Sequence, residues 1–211
     1  MTISEIAGKD RGRSLIYLND EPAFVLKDSE VRKLKLKEGE EIPPETYGKI
    51  LEILNKRAKS RTLHILDRAE KTENELRKRL SEDLYPPEVI EEAVEAAKSG
   101  NFLNDERYAA QYIYAKSGKK SKKQIRIFLS QKGIDENVID AAFSAFEEER
   151  AEEGEDPECV LILKLIKKRW PHEEKPDPET EQKLYKYLMG KGFEYGKIRK
   201  VMRGVTENRL H

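Results

Sequence analysis

The chain has 211 residues, 39% charged and 37% apolar, and its 41 basic side chains balance 41 acidic ones. That composition excludes one thick hydrophobic core and a protein that coats nucleic acid by net charge alone; it leaves small units with thin, one-sided cores. The single cysteine, Cys159, excludes an intramolecular disulfide, and no apolar run approaches the roughly 18 residues of a membrane span. A soluble, cytoplasmic monomer is expected, and abundant Lys and Glu with little Gln and Cys suit heat tolerance.

In chain order, "RSLIYLND" and "PAFVLKD" are short runs rich in β-branched and aromatic residues, separated by Asn19-Asp20-Glu21. They predict an N-terminal β-hairpin within residues 1–42, with Pro22 near the start of its second strand, where a missing donor matters least. "EVRKLKLKEGEEI" continues as a linker or a short helix. A lone hairpin is marginal in water, so this one is expected to pack on the next part of the chain.

From Pro43 the period becomes helical. Tyr47, Ile50, Leu51, Leu54 and Ala58 mark an amphipathic helix over roughly 45–69, with Pro44 at its first position. Three segments then align without a gap. Thr72, Ser121 and Thr180 coincide, followed by Leu76, Ile125 and Leu184, then Leu80, Leu129 and Leu188. Tyr85, Ile134 and Phe193 come next, then Ile90, Ile139 and Ile198, and finally Val94, Phe143 and Met202. The Thr or Ser is read as a helix N-cap, with capping boxes to Glu75 and Gln124. The apolar positions are read as a middle helix, a turn plug and the buried face of a third helix. Gly133 and Gly192 suit a left-handed helix end, whereas Leu84 stands there in the first copy, so a different turn is expected.

Each copy is preceded by one more helix: 45–69 in the first, one capped by Asn104 in the second, and one opened by Asp156-Pro157 in the third. The expected fold is mostly α: three tandem three-helix repeats in an elongated array, over 43–100, 101–150 and 151–211, after the hairpin. Gly100 and the acidic stretch near Glu152 are the expected joints.

No catalytic constellation emerges, and neither a cofactor nor a metal is implied. The Gly-Lys pairs lack a phosphate-loop context. His64, His172 and His211 are far apart, and His64, between Leu63 and Ile65, reads as a structural residue. Cys159 beside Val160, Leu161 and Ile162 reads as a small core residue. An enzyme is not expected.

What remains is surface. Residues 116–132 carry seven Lys or Arg and no acid. Of these, Lys119, Lys120, Lys122, Lys123 and Arg126 lead into a helix N-terminus that already favours anions, downstream of Tyr108, Tyr112 and Tyr114. A second group is Lys164, Lys167, Lys168 and Arg169. Two readings stay open for both: solvated helix faces, or contacts to phosphate or an acidic protein.

The same residues resemble the RecX regulatory proteins, which control the RecA recombinase. "GNFLNDERYAAQYI" followed by "IRIFLSQKGIDENVID" resembles the family's Asn-Asp-Glu-Arg segment and Lys-Gly-Ile turn. "QKLYKYLMGKGFEYGKI" resembles the third-repeat signature and "KTENELRKRL" the first, so the likeness covers essentially the whole chain. Ser121 departs from an expected glycine, and Ala69-Glu70 from a more basic approach to Thr72. The resemblance implies an inhibitor that lies in the groove of the RecA–single-stranded DNA filament and suppresses ATP hydrolysis, strand exchange and co-protease activity. A stand-alone helical-repeat nucleic-acid binder and a structural adaptor are the alternatives.

Overall fold

The computed structural model describes residues 1–150, 154, 156–171 and 176–207. The joint expected near Glu152 and the histidines His172 and His211 lie outside the described residues. Two compact units result, Met1–Asn104 and Asp105–His211.

The first unit opens with three antiparallel strands in the order β1-β2-β3: β1 (Ile3–Lys9), β2 (Arg13–Leu18) and β3 (Glu21–Lys27). The expected hairpin is β2-β3, turned by Asn19 and Asp20 in the left-handed region (φ 50° and 67°). The third strand, β1, was not anticipated, because Ile3 alone in it is fully buried and its alternation is faint. Pro22 lies on the edge strand β3, where the pairing with β2 shifts register.

The sheet is too small to be stable alone, and it shares a core with the helices downstream. Ile16, Phe24 and Leu26 pack in one cluster with Ile50, Leu54, Leu76, Leu80 and Val94. A short helix, α1 (Asp28–Lys33), adds an ion pair from Glu30 to Arg57. Burial works against the Glu30 charge, but the Arg57 hydrogen bonds hold its carboxyl below the usual range.

The first bundle comprises α2 (Pro44–Arg68), α3 (Glu73–Glu82) and α4 (Pro87–Ser99). The second unit holds two more: α5 (Asp105–Lys116), α6 (Lys122–Gln131) and α7 (Glu136–Arg150), then α8 (Pro157–Arg169), α9 (Pro178–Gly190) and α10 (Tyr195–Glu207). Each of these two has its own cluster, centred on Ile125, Leu129 and Ile139 in one and on Leu184, Leu188 and Ile198 in the other.

The aligned apolar positions are all buried except Tyr85, which is half-buried. Thr72 and Ser121 cap α3 and α6 with the expected capping boxes. Thr180 does not cap. Asp177 does, accepting from the Thr180 amide at 2.8 Å, because Asp followed by Pro178 starts the helix three residues earlier. The expected difference at Leu84 is also absent. Leu84 adopts φ 62° beside 81° at Gly133 and 85° at Gly192. The closing bonds match as well: Tyr85, Ile134 and Phe193 amides donate to the Leu80, Leu129 and Leu188 carbonyls at 3.1, 3.2 and 3.3 Å. The first repeat therefore makes the same turn with a side chain that resists it.

Candidate functional site

Within the second unit, the Ser121 hydroxyl accepts from the Gln124 amide and donates to the Lys191 carbonyl at 2.8 Å. That second bond is what a glycine here would lack. Gly192 approaches so closely that an added Cβ would lie 3.0 Å from Ser121 Oγ and 3.2 Å from Lys123 Cβ. Glu158, buried at 8% exposure, accepts from the Lys122 amide and from Lys197 Nζ, each at 2.8 Å. Its carboxylate thus stands at the N-terminus of α6, where the helix end favours an anion. Lys197 also meets Asp156 at 2.7 Å. Burial opposes the Lys197 charge, but the two carboxylates outweigh it and raise its pKa, while the same contact holds Asp156 below the usual range.

This geometry divides the first basic cluster. Lys122 pairs with Glu147 at 2.7 Å and lies over the Phe143 ring, and Arg126 bridges to Glu136 and Asp140. The equivalent Arg77 bridges to Glu91 in the first repeat, so an Arg here ties the middle helix to the third. Lys119 and Lys123 remain exposed. Lys120 is half-buried and donates to Tyr112 Oη at 3.3 Å. Tyr112 is stacked on Phe128, centroids 4.2 Å apart and planes 7° from parallel. Lys120, Lys116 and Lys132 bring their ammonium groups within 5.9 Å of these rings. Tyr114 instead meets Phe146 edge-on at 4.9 Å, and Tyr108 is half-buried.

In the second cluster, Lys164, Lys167 and Lys168 are exposed on α8. Lys167, Lys168 and Arg169 occupy its last turn, where cations also complement the helix dipole. Arg169 lies against the Tyr187 ring, 4.3 Å from its centroid, with Lys191 at 5.1 Å.

Phe128, Lys132, Tyr187 and Lys191 are absent from the sequence-based candidates. Their signal was present, since Phe128 and Lys132 recur 59 residues later as Tyr187 and Lys191. Neither position belongs to the buried stripe by which the three segments align. A concave basic surface in the first unit also escaped notice: Arg61, His64, Arg68, Lys71, Lys78 and Arg79 line it together with Glu75 and Glu82. His64 is exposed there and is not a structural core residue, because it falls on the outer face of α2 beside Leu63, itself 48% exposed.

Among the described residues no group of His, Cys, Asp and Glu could hold a metal, and no helix is long and apolar enough to cross a membrane. Cys159 is half-buried, and burial pushes its thiol up, away from thiolate character.

Residues 58–95, 104–142 and 156–202 match models of the first, second and third three-helix domains of RecX. The chain is 31% identical to regulatory protein RecX of Clostridium beijerinckii, across 92% of this chain and 89% of that one. It is 33% identical to regulatory protein RecX of Limosilactobacillus reuteri, across 90% and 72%. A crystal structure of regulatory protein RecX matches with a TM-score of 0.60 at 30% identity, over 95% of this chain and 98% of that one. The RecX structure from Lactobacillus salivarius matches in fold, with a TM-score of 0.60 at 23% identity, over 72% and 96%.

Proposed function

Since this chain belongs to the RecX family of regulatory proteins, we propose that it binds the RecA–single-stranded DNA filament and restrains it, lowering ATP hydrolysis, strand exchange and co-protease activity. The observation that carries this reading is the match of all three RecX three-helix domains, in order, along one chain. The mechanism is binding: a regulator of this kind holds the filament in one state by its differential affinity for that state.

The surface chemistry is compatible with a composite target. Lys119, Lys120 and Lys123 on one repeat and Lys164, Lys167 and Lys168 on the next are available for phosphate or carboxylate contacts. Lys122 and Arg126 already hold carboxylates within their own unit. Balanced net charge suits a protein that must recognise protein and DNA together without coating every polyanion.

The test is single-stranded-DNA-dependent ATP hydrolysis by RecA with this protein titrated well below stoichiometric amounts. Strong inhibition at such ratios supports action on filaments. No inhibition, with DNA binding intact, leaves a helical-repeat nucleic-acid binder.

A further inference from the structure

Two places in the second unit combine flat aromatic surface with cations, and they stand at equivalent positions of consecutive repeats. In one, the stacked Tyr112–Phe128 pair is bordered by Lys116, Lys120 and Lys132. In the other, Tyr187 is bordered by Arg169 and Lys191. Phe128 matches Tyr187 and Lys132 matches Lys191 when the repeats are superposed by sequence. The first repeat places Arg79 and Asp83 there, 3.8 Å apart, a salt bridge with no ring.

We infer that Phe128 with Tyr112, and Tyr187, are stacking platforms for the bases of single-stranded DNA, the neighbouring cations holding its phosphates. The inference rests on the proposed function, in which the chain engages single-stranded DNA, and names the contact.

Three observations favour a nucleotide over a carboxylate-bearing partner. First, neither Lys116 nor Lys120 is paired with a carboxylate among the described residues; their partners are rings and a tyrosine hydroxyl. Second, among the described residues the concavity around Tyr187 is lined by Arg169, Lys183 and Lys186 and by no acidic residue, although Lys183 itself pairs with Glu179 at 2.7 Å on the same helix. Third, Lys120 Nζ is 5.9 Å from the Tyr112 centroid and 5.6 Å from that of Phe128. A point nearly equidistant from two stacked rings lies beside the stack, not beyond either outer face. The cation therefore reaches toward a backbone passing the edge of the pair, while Tyr112, Phe128 and Tyr187 all keep part of their surface in solvent. Acidic peptides would be satisfied by the cations alone. Bases supply the π-face that makes the rings matter, and stacking tolerates any sequence.

The test uses the full chain, fluorescence anisotropy at low ionic strength, and two probes: a labelled oligothymidylate and an abasic oligomer of equal length, with the same phosphates and no bases. The wild type is expected to prefer the oligothymidylate. Phe128→Leu and Tyr187→Leu are each expected to weaken its binding roughly tenfold, leaving abasic binding and the salt slope unchanged. Phe128→Tyr and Tyr187→Phe keep the ring and should retain affinity, which separates stacking from misfolding. Equal wild-type affinity for both probes, or leucine variants that bind oligothymidylate as the wild type does, overturns the platforms. That result, with filament inhibition intact, would leave the regulatory reading standing. A ring-dependent preference for bases without filament inhibition would uphold the platforms and remove the regulator.

Discussion

Ser121 Oγ donates to the Lys191 carbonyl at 2.8 Å, so the residue that caps α6 also fastens the turn after α9. One hydroxyl thereby serves two bundles. Ser121→Ala should cost about 1–2 kcal/mol, from a lost cap plus a part-buried carbonyl left without its donor. Urea unfolding monitored by circular dichroism measures this, and an unshifted midpoint would sink the dual role.

Gly192 faces that serine with φ 85°, and a Cβ there would press on Ser121 Oγ at 3.0 Å and on Lys123 Cβ at 3.2 Å. Gly192→Ala is expected to destabilise by about 1–2 kcal/mol from the left-handed backbone alone, and more from contact with Ser121 and Lys123. The contrast is Leu84, which already tolerates this conformation. Leu84→Gly should change stability by less than about 1 kcal/mol, as relief of strain offsets lost side-chain burial. A large loss at Leu84 would show that its side chain carries the turn.

Acid should loosen the second unit through Asp156. Its folded pKa is depressed from an ordinary 3.8, burial being outweighed by Lys197 and the Glu158 amide. A depressed carboxylate contributes stability that is complete above its unfolded pKa and is lost as pH falls through its folded value. Unfolding midpoints should be level from about pH 6 to 8 and fall below about pH 4, with a shallower acid limb in Asp156→Asn. The raised Lys197 has the opposite sign. Its contribution persists up to its ordinary 10.5 and fades only above that, so it leaves the neutral range untouched.

The basic cluster should split by experiment as it does by geometry. Replacing Lys119, Lys120 and Lys123 with Gln should leave the unfolding free energy within about 0.5 kcal/mol and reduce the salt slope of DNA binding by about one unit per phosphate contact. Arg126→Gln should instead lower stability, because it releases Glu136 and Asp140. Identical behaviour of the two variants would contradict the division.

The high Lys and Glu content carries an expectation of its own, a thermal midpoint above about 55 °C. Differential scanning calorimetry decides it.

Burial was the legible part of this fold. Leu80, Leu129 and Leu188 repeat because a middle helix must bury one stripe, and such a stripe leaves a period in the sequence. Backbone conformation was less legible. Leu84 gave no sign of φ 62°, since residue type records preference and the surrounding turn overrides it. Thr180 misled because it aligns with two true caps, while Asp177-Pro178 offers a better start upstream. For the candidate site, charge was visible, but which charges are already paired was not. Lys122 and Lys119 look alike in sequence and differ only once Glu147 is folded against the first. The aromatic positions were hidden for another reason: Phe128 and Tyr187 are only half-buried, so a search for core periodicity passes over them.

Glu158 draws together the start of α6, its own helix α8 and Lys197 of α10, and Ser121 adds a fastening from α6 to the turn before α10. Pulled from its two ends by an optical trap, the second unit should accordingly give way in a single rupture, the last two bundles extending together. Glu158→Gln combined with Ser121→Ala should break that event into two smaller steps.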